Sequence, residues 1–266
     1  MGLDMPVLIS RSDVYAPERH RAILDVVSRH GRASVIELSE SLAVAPETVR
    51  RDLSTLERQG LVQRVHGGAI PTGRAAFEPS VDTRSQVLQD EKFRIAQAAL
   101  AEVPEEGAII VDAGTTTGVL LTLIPDSVQL TVVTNSVLHA AAVAHRPNIT
   151  VLMLGGRVRS RTLACVDEWA IESLQGLYAD VAFVGSNGIT AARGLTTPDR
   201  NEAATKNAML MAARRRVVLV DNTKFGQNHF ATFGKLEDID VVITDVLVDD
   251  EVVDEIEAVG PIVVRA

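Results

Sequence analysis

Apolar residues follow two different periods along this chain. Up to about residue 60 they recur every three or four positions, as on one helix face. Beyond about residue 107 they come in short unbroken runs that end in small or polar residues. In the first part, Ile23, Val26 and Val27 mark one face of a helix over 17–30, which Gly31 ends. Ser34 and Glu37 have capping-box spacing and start a second helix carrying Val35, Leu38 and Leu42. Pro46 suits the first position of a third helix, with Val49, Leu53 and Leu56 inside and Gly60 closing it. A short second helix and a tight turn before the third predict a helix-turn-helix at 33–52. Two β-type segments around Gly67 and Gly68 add a hairpin, so residues 16–71 read as a winged helix-turn-helix.

The runs of the second part are AIIVDAGTTT, LTVVTNS, ITVLMLGG, VAFVGSNG, VVLVDNTK and VVITD, separated by helical stretches. Runs without alternation suit strands covered on both faces, and their alternation with helices predicts a parallel α/β domain over 91–250. The stretch PTGRAAFEPSVDTRSQVLQD lacks sustained periodicity, so residues 72–90 read as a linker. Residues 251–266 are left as a C-terminal segment. Arg214 to Arg216 read as the end of the helix that starts at Thr197 or Asp199, where cations favour the dipole.

Ligands of such sheets bind outside the carboxyl ends of the strands. Those ends offer Asp112, Gly114, Thr115, Thr116, Thr117, Asn135, Ser136, Gly155, Gly156, Asp221 and Lys224. Hydroxyls and backbone N–H groups at a helix start make a phosphate-sized cradle, and Lys224 supplies a point charge. A carboxylate would repel phosphate, so Asp112 is expected to accept hydrogen bonds from sugar hydroxyls or loop amides. Glu202 and Lys206, four apart, share a helix face; an ordinary surface ion pair explains that spacing equally well. On the third helix, Thr48, Arg50 and Arg51 lie off or at the edge of the buried stripe, where Arg can read guanine or hold phosphate. The bland alternative is a solvated face with Glu47 and Asp52 as local partners. Arg64 and His66 on the wing would meet DNA backbone or minor groove.

Charge narrows this picture. The whole chain carries −9 over 266 residues. Residues 1–74 hold ten Arg against nine acids, net +1, so DNA binding must rest on a few placed groups and a dimer rather than bulk charge. The single Cys165 excludes an intramolecular disulfide and a Cys-based metal site and reads as a buried small hydrophobe. No run approaches the ~18 apolar residues of a membrane span, and the N-terminus is a poor signal peptide, so a cytoplasmic location is the expectation. Neither GxGxxG nor GxxxxGK[ST] occurs, so no cofactor is expected.

RRDLSTLERQGLVQRVHGGA resembles the DNA-binding signature of the DeoR family of bacterial sugar-operon regulators. One departure is Ala45, where the family commonly has a capping Ser or Thr, worth ~1 kcal/mol. DAGTTT, VVTNS, LGGRVR, GLTTP followed by EA and K, and DNTKFG resemble the family's effector domain in order and spacing, so the likeness spans 17–245. It implies a C-terminal fold similar to ribose-5-phosphate isomerases and CoA transferases. It also implies a phosphorylated sugar or polyol at Asp112, Thr115 to Thr117, Asn135, Gly155, Gly156, Glu202, Lys206, Asp221 and Lys224. VDTRSQ resembles the family's junction, which leads into a helix with a Lys, here Lys92; Arg84 and Lys92 are given no ligand role. A second departure is Asp167, in a segment where many members have Gly. In that respect the chain looks closest to actinobacterial members associated with fructose and other imported sugars.

Two functions compete. One is a repressor of sugar uptake or catabolism genes that binds double-stranded operator DNA, as a homodimer or homotetramer without membrane contact, and responds to a sugar phosphate such as fructose 1-phosphate. The other is a sugar-phosphate isomerase with an appended DNA-binding domain, using Glu202 as base and Lys206 as electrophile. No spacing makes them catalytic, and a metabolic isomerase has no use for a wing behind a recognition helix. The sensor without catalytic or metal-binding residues is therefore preferred.

Overall fold

The computed structural model describes residues 15–59, 61–65, 67–71 and 78–266. The chain divides into two compact units, Met1–Gly73 and Arg74–Ala266.

In the first unit α1 (Ala16–His30) ends at Gly31, whose φ of 66° is the left-handed cap that glycine adopts freely. A two-residue strand β1 (Ala33–Ser34) leads into α2 (Val35–Ser41), where Ser34 accepts from the Glu37 amide and Glu37 accepts from the Ser34 amide. Helix α3 (Pro46–Arg58) begins with Pro46 and has no side-chain cap at Ala45. Ile23, Val27, Val35, Leu38, Val49, Leu53 and Leu56 are buried and form the core among the three helices. Leu42 is half-buried, as the C-cap of α2. Strands β2 (Val62–Val65) and β3 (Gly68–Pro71) make the wing, and β1 adds a third strand in the order β1-β3-β2 that periodicity did not predict. The expected helix stop Gly60 and the wing residue His66 lie outside the described residues.

In the second unit, α4 (Val81–Ser85) and α5 (Gln89–Ala99) precede a parallel sheet of seven strands. These are β4 (Glu106–Val111), β5 (Gln129–Thr134), β6 (Ile149–Met153), β9 (Ala179–Gly185), β12 (Ala213–Leu219), β14 (Val241–Thr244) and β15 (Ile262–Arg265). Their order is β15-β14-β12-β9-β4-β5-β6. The six apolar runs account for all but β15, which came from the unassigned C-terminal segment. Helices α6 (Thr115–Leu123), α7 (Val137–Val143), α8 (Glu168–Glu172), α9 (Arg200–Met211) and α10 (Asp250–Glu257) connect the strands. Successive residues show why the runs do not alternate. Ile109 and Val111 pack in one core with Ile95, Leu120 and Phe183, while Ile110 packs in another with Ala182, Met209 and Ala213.

Two additions stand over the strand ends. One is the hairpin β7 (Arg157–Arg159) and β8 (Ala164–Val166); the other is a small sheet of β10 (Gly188–Thr190), β11 (Gly194–Thr197) and β13 (Ala231–Gly234). Two expectations need correction. Arg214 to Arg216 lie on β12, not at a helix end; α9 stops at Met211, and Arg215 pairs with Glu102, which precedes β4, at 3.0 Å. Residues 78–90, read as linker, are built into the second unit: Glu78 is buried, Ser80 caps α4, and Val81 donates its amide to the Arg161 carbonyl at 2.8 Å. The missed signal is Ser80 followed by Val81 and Leu88, both buried.

Candidate functional site

On α3 the buried side includes one charge. Asp52 accepts from Arg19 at 2.8 and 3.2 Å and from His20 at 3.1 Å, which locks α3 onto α1. Asp52 is thus not the local partner of the Arg pair. Thr48, Arg50 and Arg51 stay on the outward side. Arg50 reaches Glu47 at 2.5 Å, an exposed i,i+3 pair of little strength. Arg64 of β2 donates to Ser54 at 2.8 Å and takes its own amide to Glu57 at 3.1 Å, fastening the wing to α3.

In the second unit the strand order reverses between β4 and β9: later strands add on the β9 side and β5 and β6 on the β4 side. This switch point is where α/β sheets open a crevice. Asp112 sits at it, fully buried. Its Oδ1 accepts from the Gly114 amide at 2.9 Å and the Thr117 hydroxyl at 2.8 Å. Its Oδ2 accepts from the Gly185 amide at 2.9 Å and from Lys206, whose ammonium also donates to the Gly185 carbonyl at 3.0 Å. Burial alone would push this carboxyl up; the Lys206 charge and these hydrogen bonds outweigh it and hold the carboxyl below the usual range. All four acceptor positions of Asp112 are filled from within, so it shapes the crevice. Glycine is required at 114, because a Cβ there would stand 2.8 Å from the Thr117 hydroxyl and 2.9 Å from Asp112. Thr117 and Thr116 are buried, Thr115 half-buried, and α6 starts at Thr115 with its first amides outside the helix ladder. Buried His139 lies under Gly118, its pKa lowered by burial.

A second cluster gathers charge. Asp221, buried after β12, accepts from the Thr223 amide at 3.1 Å and stands 3.7 Å from the Lys224 ammonium. Lys92 of α5 is buried and donates to the carbonyls of Arg84 and Val87. Burial lowers its pKa to about 8; Asp221 opposes this, and the positive charges of Lys224 and Arg84 add to it. The Nε and Nη2 of Arg84 are buried without a hydrogen-bond partner among the described residues. Lys92 thus stands among the cations Lys224 and Arg84 and the carboxylates Asp221 and Glu91, with Asp245 close to the last two, and two guanidinium donors of Arg84 are unused. Sequence reading found Asp221 and Lys224 but set aside Arg84, whose segment looked like linker, and Lys92 on the helix that follows it.

A third cluster centres on Arg159 of β7. Its guanidinium stands 3.1 Å from Glu78, 2.8 Å from Glu202 and 3.3 Å from Asp199. Glu202 and Lys206 are both buried and do not pair with each other: one goes to Arg159, the other to Asp112. Arg159, Glu78 and Asn187 were not legible as site residues, since none shares a local spacing with the others.

Of the remaining candidates, Asn135 keeps its side-chain oxygen buried without a hydrogen-bond partner among the described residues. The Asn135 amide group donates to the Cys165 carbonyl at 3.1 Å, and Ser136 caps α7 by accepting the His139 amide at 3.2 Å. Gly156 has φ of 118°, and a Cβ there would stand 2.4 Å from the Val166 carbonyl oxygen; beside Gly155 the space is open. Asp167 holds φ 86° and ψ −176°, a conformation favouring glycine, and pairs with Arg157 at 2.8 and 3.3 Å.

A winged helix-turn-helix joined to a switch-point α/β domain is the architecture of a transcriptional regulator with a sensing module. Residues 19–72 match the model of the DeoR-like helix-turn-helix domain, and residues 88–246 match that of the DeoR C terminal sensor domain. The chain belongs to the DeoR family. It is 35% identical to the uncharacterized HTH-type transcriptional regulator FruR of Bacillus subtilis (strain 168), over 86% of this chain and 91% of that one. It is 36% identical to the HTH-type transcriptional regulator GlpR of Haloferax volcanii, over 93% and 96%. Identity to the glycerol-3-phosphate regulon repressor of Escherichia coli (strain K12) is 31%, over 86% and 90%. Among solved structures, ribose 5 phosphate isomerase A from Neisseria gonorrhoeae is similar with a TM-score of 0.39 and 20% identity, covering 53% of this chain and 55% of that one. No helix among the described residues is long and apolar enough to cross a membrane.

Proposed function

We propose that this regulator represses sugar uptake or catabolism genes, binding operator DNA as an even-numbered homo-oligomer and releasing or holding it according to a phosphorylated sugar or polyol in the second unit. The observation that carries the ligand class is the Arg84, Lys92 and Lys224 cluster. The buried, unused guanidinium donors of Arg84, beside the Lys92 ammonium, suit a compact anion. The first amides of α6 add donors, since α6 packs against both α4 and α5. Asp112, Thr117 and Lys206 act as the frame of the crevice, while Thr115 and the open side of Gly155 offer room for the sugar. A ketose phosphate such as fructose 1-phosphate fits this pattern, and the name of one relative, a glycerol-3-phosphate regulon repressor, supports a phosphorylated small molecule.

The isomerase alternative is disfavoured by the same geometry. A general base and an electrophile must be free to meet substrate; Glu202 and Lys206 are committed to Arg159 and Asp112. On the DNA side, Arg51 and Arg64 are the placed cations, with Thr48 and Arg50 beside them. A thermal-shift screen of sugar phosphates against the corresponding free sugars tests the proposal, with Lys224→Ala as control. Stabilisation by a phosphorylated compound, lost in Lys224→Ala, is expected. Interconversion of aldose and ketose phosphates that disappears in Glu202→Ala would establish the enzyme instead. Arg51→Ala should weaken operator binding across sequences and lower the salt slope by about one; unchanged binding at every salt concentration would remove it from the interface.

A further inference from the structure

We propose that Glu78 and Arg159 form a latch through which ligand occupancy reaches the peptide leading to the DNA-binding unit; the inference rests on the phosphate reading above. Glu78 lies five residues after Gly73, where the first unit ends, and it is almost completely buried. Its carboxylate stands 3.1 Å from Arg159 and 3.4 Å from the Asn187 amide group in the loop after β9. Its carbonyl accepts from Arg161 at 2.5 Å, and Val81 returns an amide to the Arg161 carbonyl. The peptide that arrives from the first unit is therefore strapped onto the β7–β8 turn and onto the switch-point loop at once.

Two features make this strap responsive. First, Arg159 is shared. The same guanidinium holds Glu202 and Asp199 at the start of α9, the helix that sends Lys206 to Asp112. One cation serving three carboxylates leaves Glu78 in competition with its neighbours for donors. Second, the strapped peptide carries the proposed anion donors. Arg84 lies on α4, six residues beyond Glu78, and its charge lowers the pKa of Lys92. Without an anion, the repulsion among Arg84, Lys92 and Lys224 that Asp221 and Glu91 leave uncompensated works against docking of 78–92. With an anion bound, that repulsion becomes attraction and docking is reinforced. The ligand thus binds the docked arrangement better than the undocked one, which is the condition for it to shift the equilibrium. The element that changes state is part of the site wall, so no long chain of intermediates is needed.

Hydrogen–deuterium exchange on the full chain tests the latch, with inorganic phosphate and fructose 1-phosphate as probes. In the wild type, a probe is expected to slow exchange across 78–92 together with the start of α6 and the 221–224 loop. Glu78→Gln loses a charge-assisted bond and should exchange about tenfold faster over 78–92 without probe. It should bind the probe correspondingly more weakly, and saturating probe should return its exchange to the wild-type level. A purely structural role would not be rescued by ligand. Arg159→Lys, which keeps the charge but not the fork, should show the same pattern at lower amplitude. If a probe protects α6 and 221–224 but not 78–92, or if Glu78→Gln exchanges like wild type, the latch is wrong and the phosphate site stands. If neither probe protects any segment, the phosphate reading fails and takes the latch with it.

Discussion

Replacing Lys206 with Met would isolate the buried ion pair at the switch point of the sensor domain. Met keeps most of the stem volume but removes the ammonium that holds Asp112 and the Gly185 carbonyl. Asp112 would remain fully buried with three neutral donors and no counter-charge. Breaking a buried pair on one side costs about 3–5 kcal/mol. In a domain of this size that is a fall in Tm on the order of 10 °C. The pH dependence gives a sharper check. In the wild type the Asp112 carboxyl titrates below its unfolded value, so its stabilisation is present above the unfolded pKa and is lost only as pH falls through the lower, folded one. Without Lys206 the leading influence is burial, which raises the carboxyl. The variant then favours a protonated Asp112 and loses stability as pH rises from the unfolded pKa towards the raised folded one. The gap between wild type and Lys206→Met should therefore be larger at about pH 7.5 than at about pH 5. Urea unfolding followed by circular dichroism at both pH values measures it. A gap below ~1 kcal/mol at both values, or one that widens on acidification, would refute the buried-pair argument.

Three more outcomes follow from single contacts. Gly114→Ala forces a methyl within 2.8 Å of the Thr117 hydroxyl and should destabilise the second unit by ~1–3 kcal/mol in thermal unfolding, while Gly155→Ala, facing open space, should be nearly neutral. Asp167→Gly relieves a positive-φ conformation costing ~1–3 kcal/mol and loses only a partly exposed pair worth less than ~1 kcal/mol, so urea unfolding should show a more stable protein; a loss would mean that the Arg157 pair outweighs the strain. Lys92 loses its proton near pH 8, so phosphate affinity measured by calorimetry should fall as pH rises through that value in the wild type and change little in Lys92→Met.

The contrast between DNA-binding and sensing parts shows where sequence reading reaches its limit. The three helices, their caps at Gly31, Ser34 and Pro46, and the wing were legible because each depends on residues within a turn or two of one another. The parallel sheet was legible for a similar reason: six runs such as AIIV and VAFV report burial on both faces, whatever their neighbours are. Strand order was not legible, and with it the fact that β4 lies beside β9, since pairing at a separation of some seventy residues leaves no local trace. The site inherited that blindness. Asp112, Lys206 and Gly185 meet only because the sheet reverses there, and Arg159 joins residues from 78 to 202. Glu78 and Arg84 were misread as connection, because a short helix packed by tertiary contacts shows no period of its own. Local chemistry decided which groups stand at the strand ends; only the tertiary structure decided which partners they meet, Asp112 with Lys206 and Asp221 with Lys224 and Thr223, because those contacts depend on how the strands are ordered and where the loops fold.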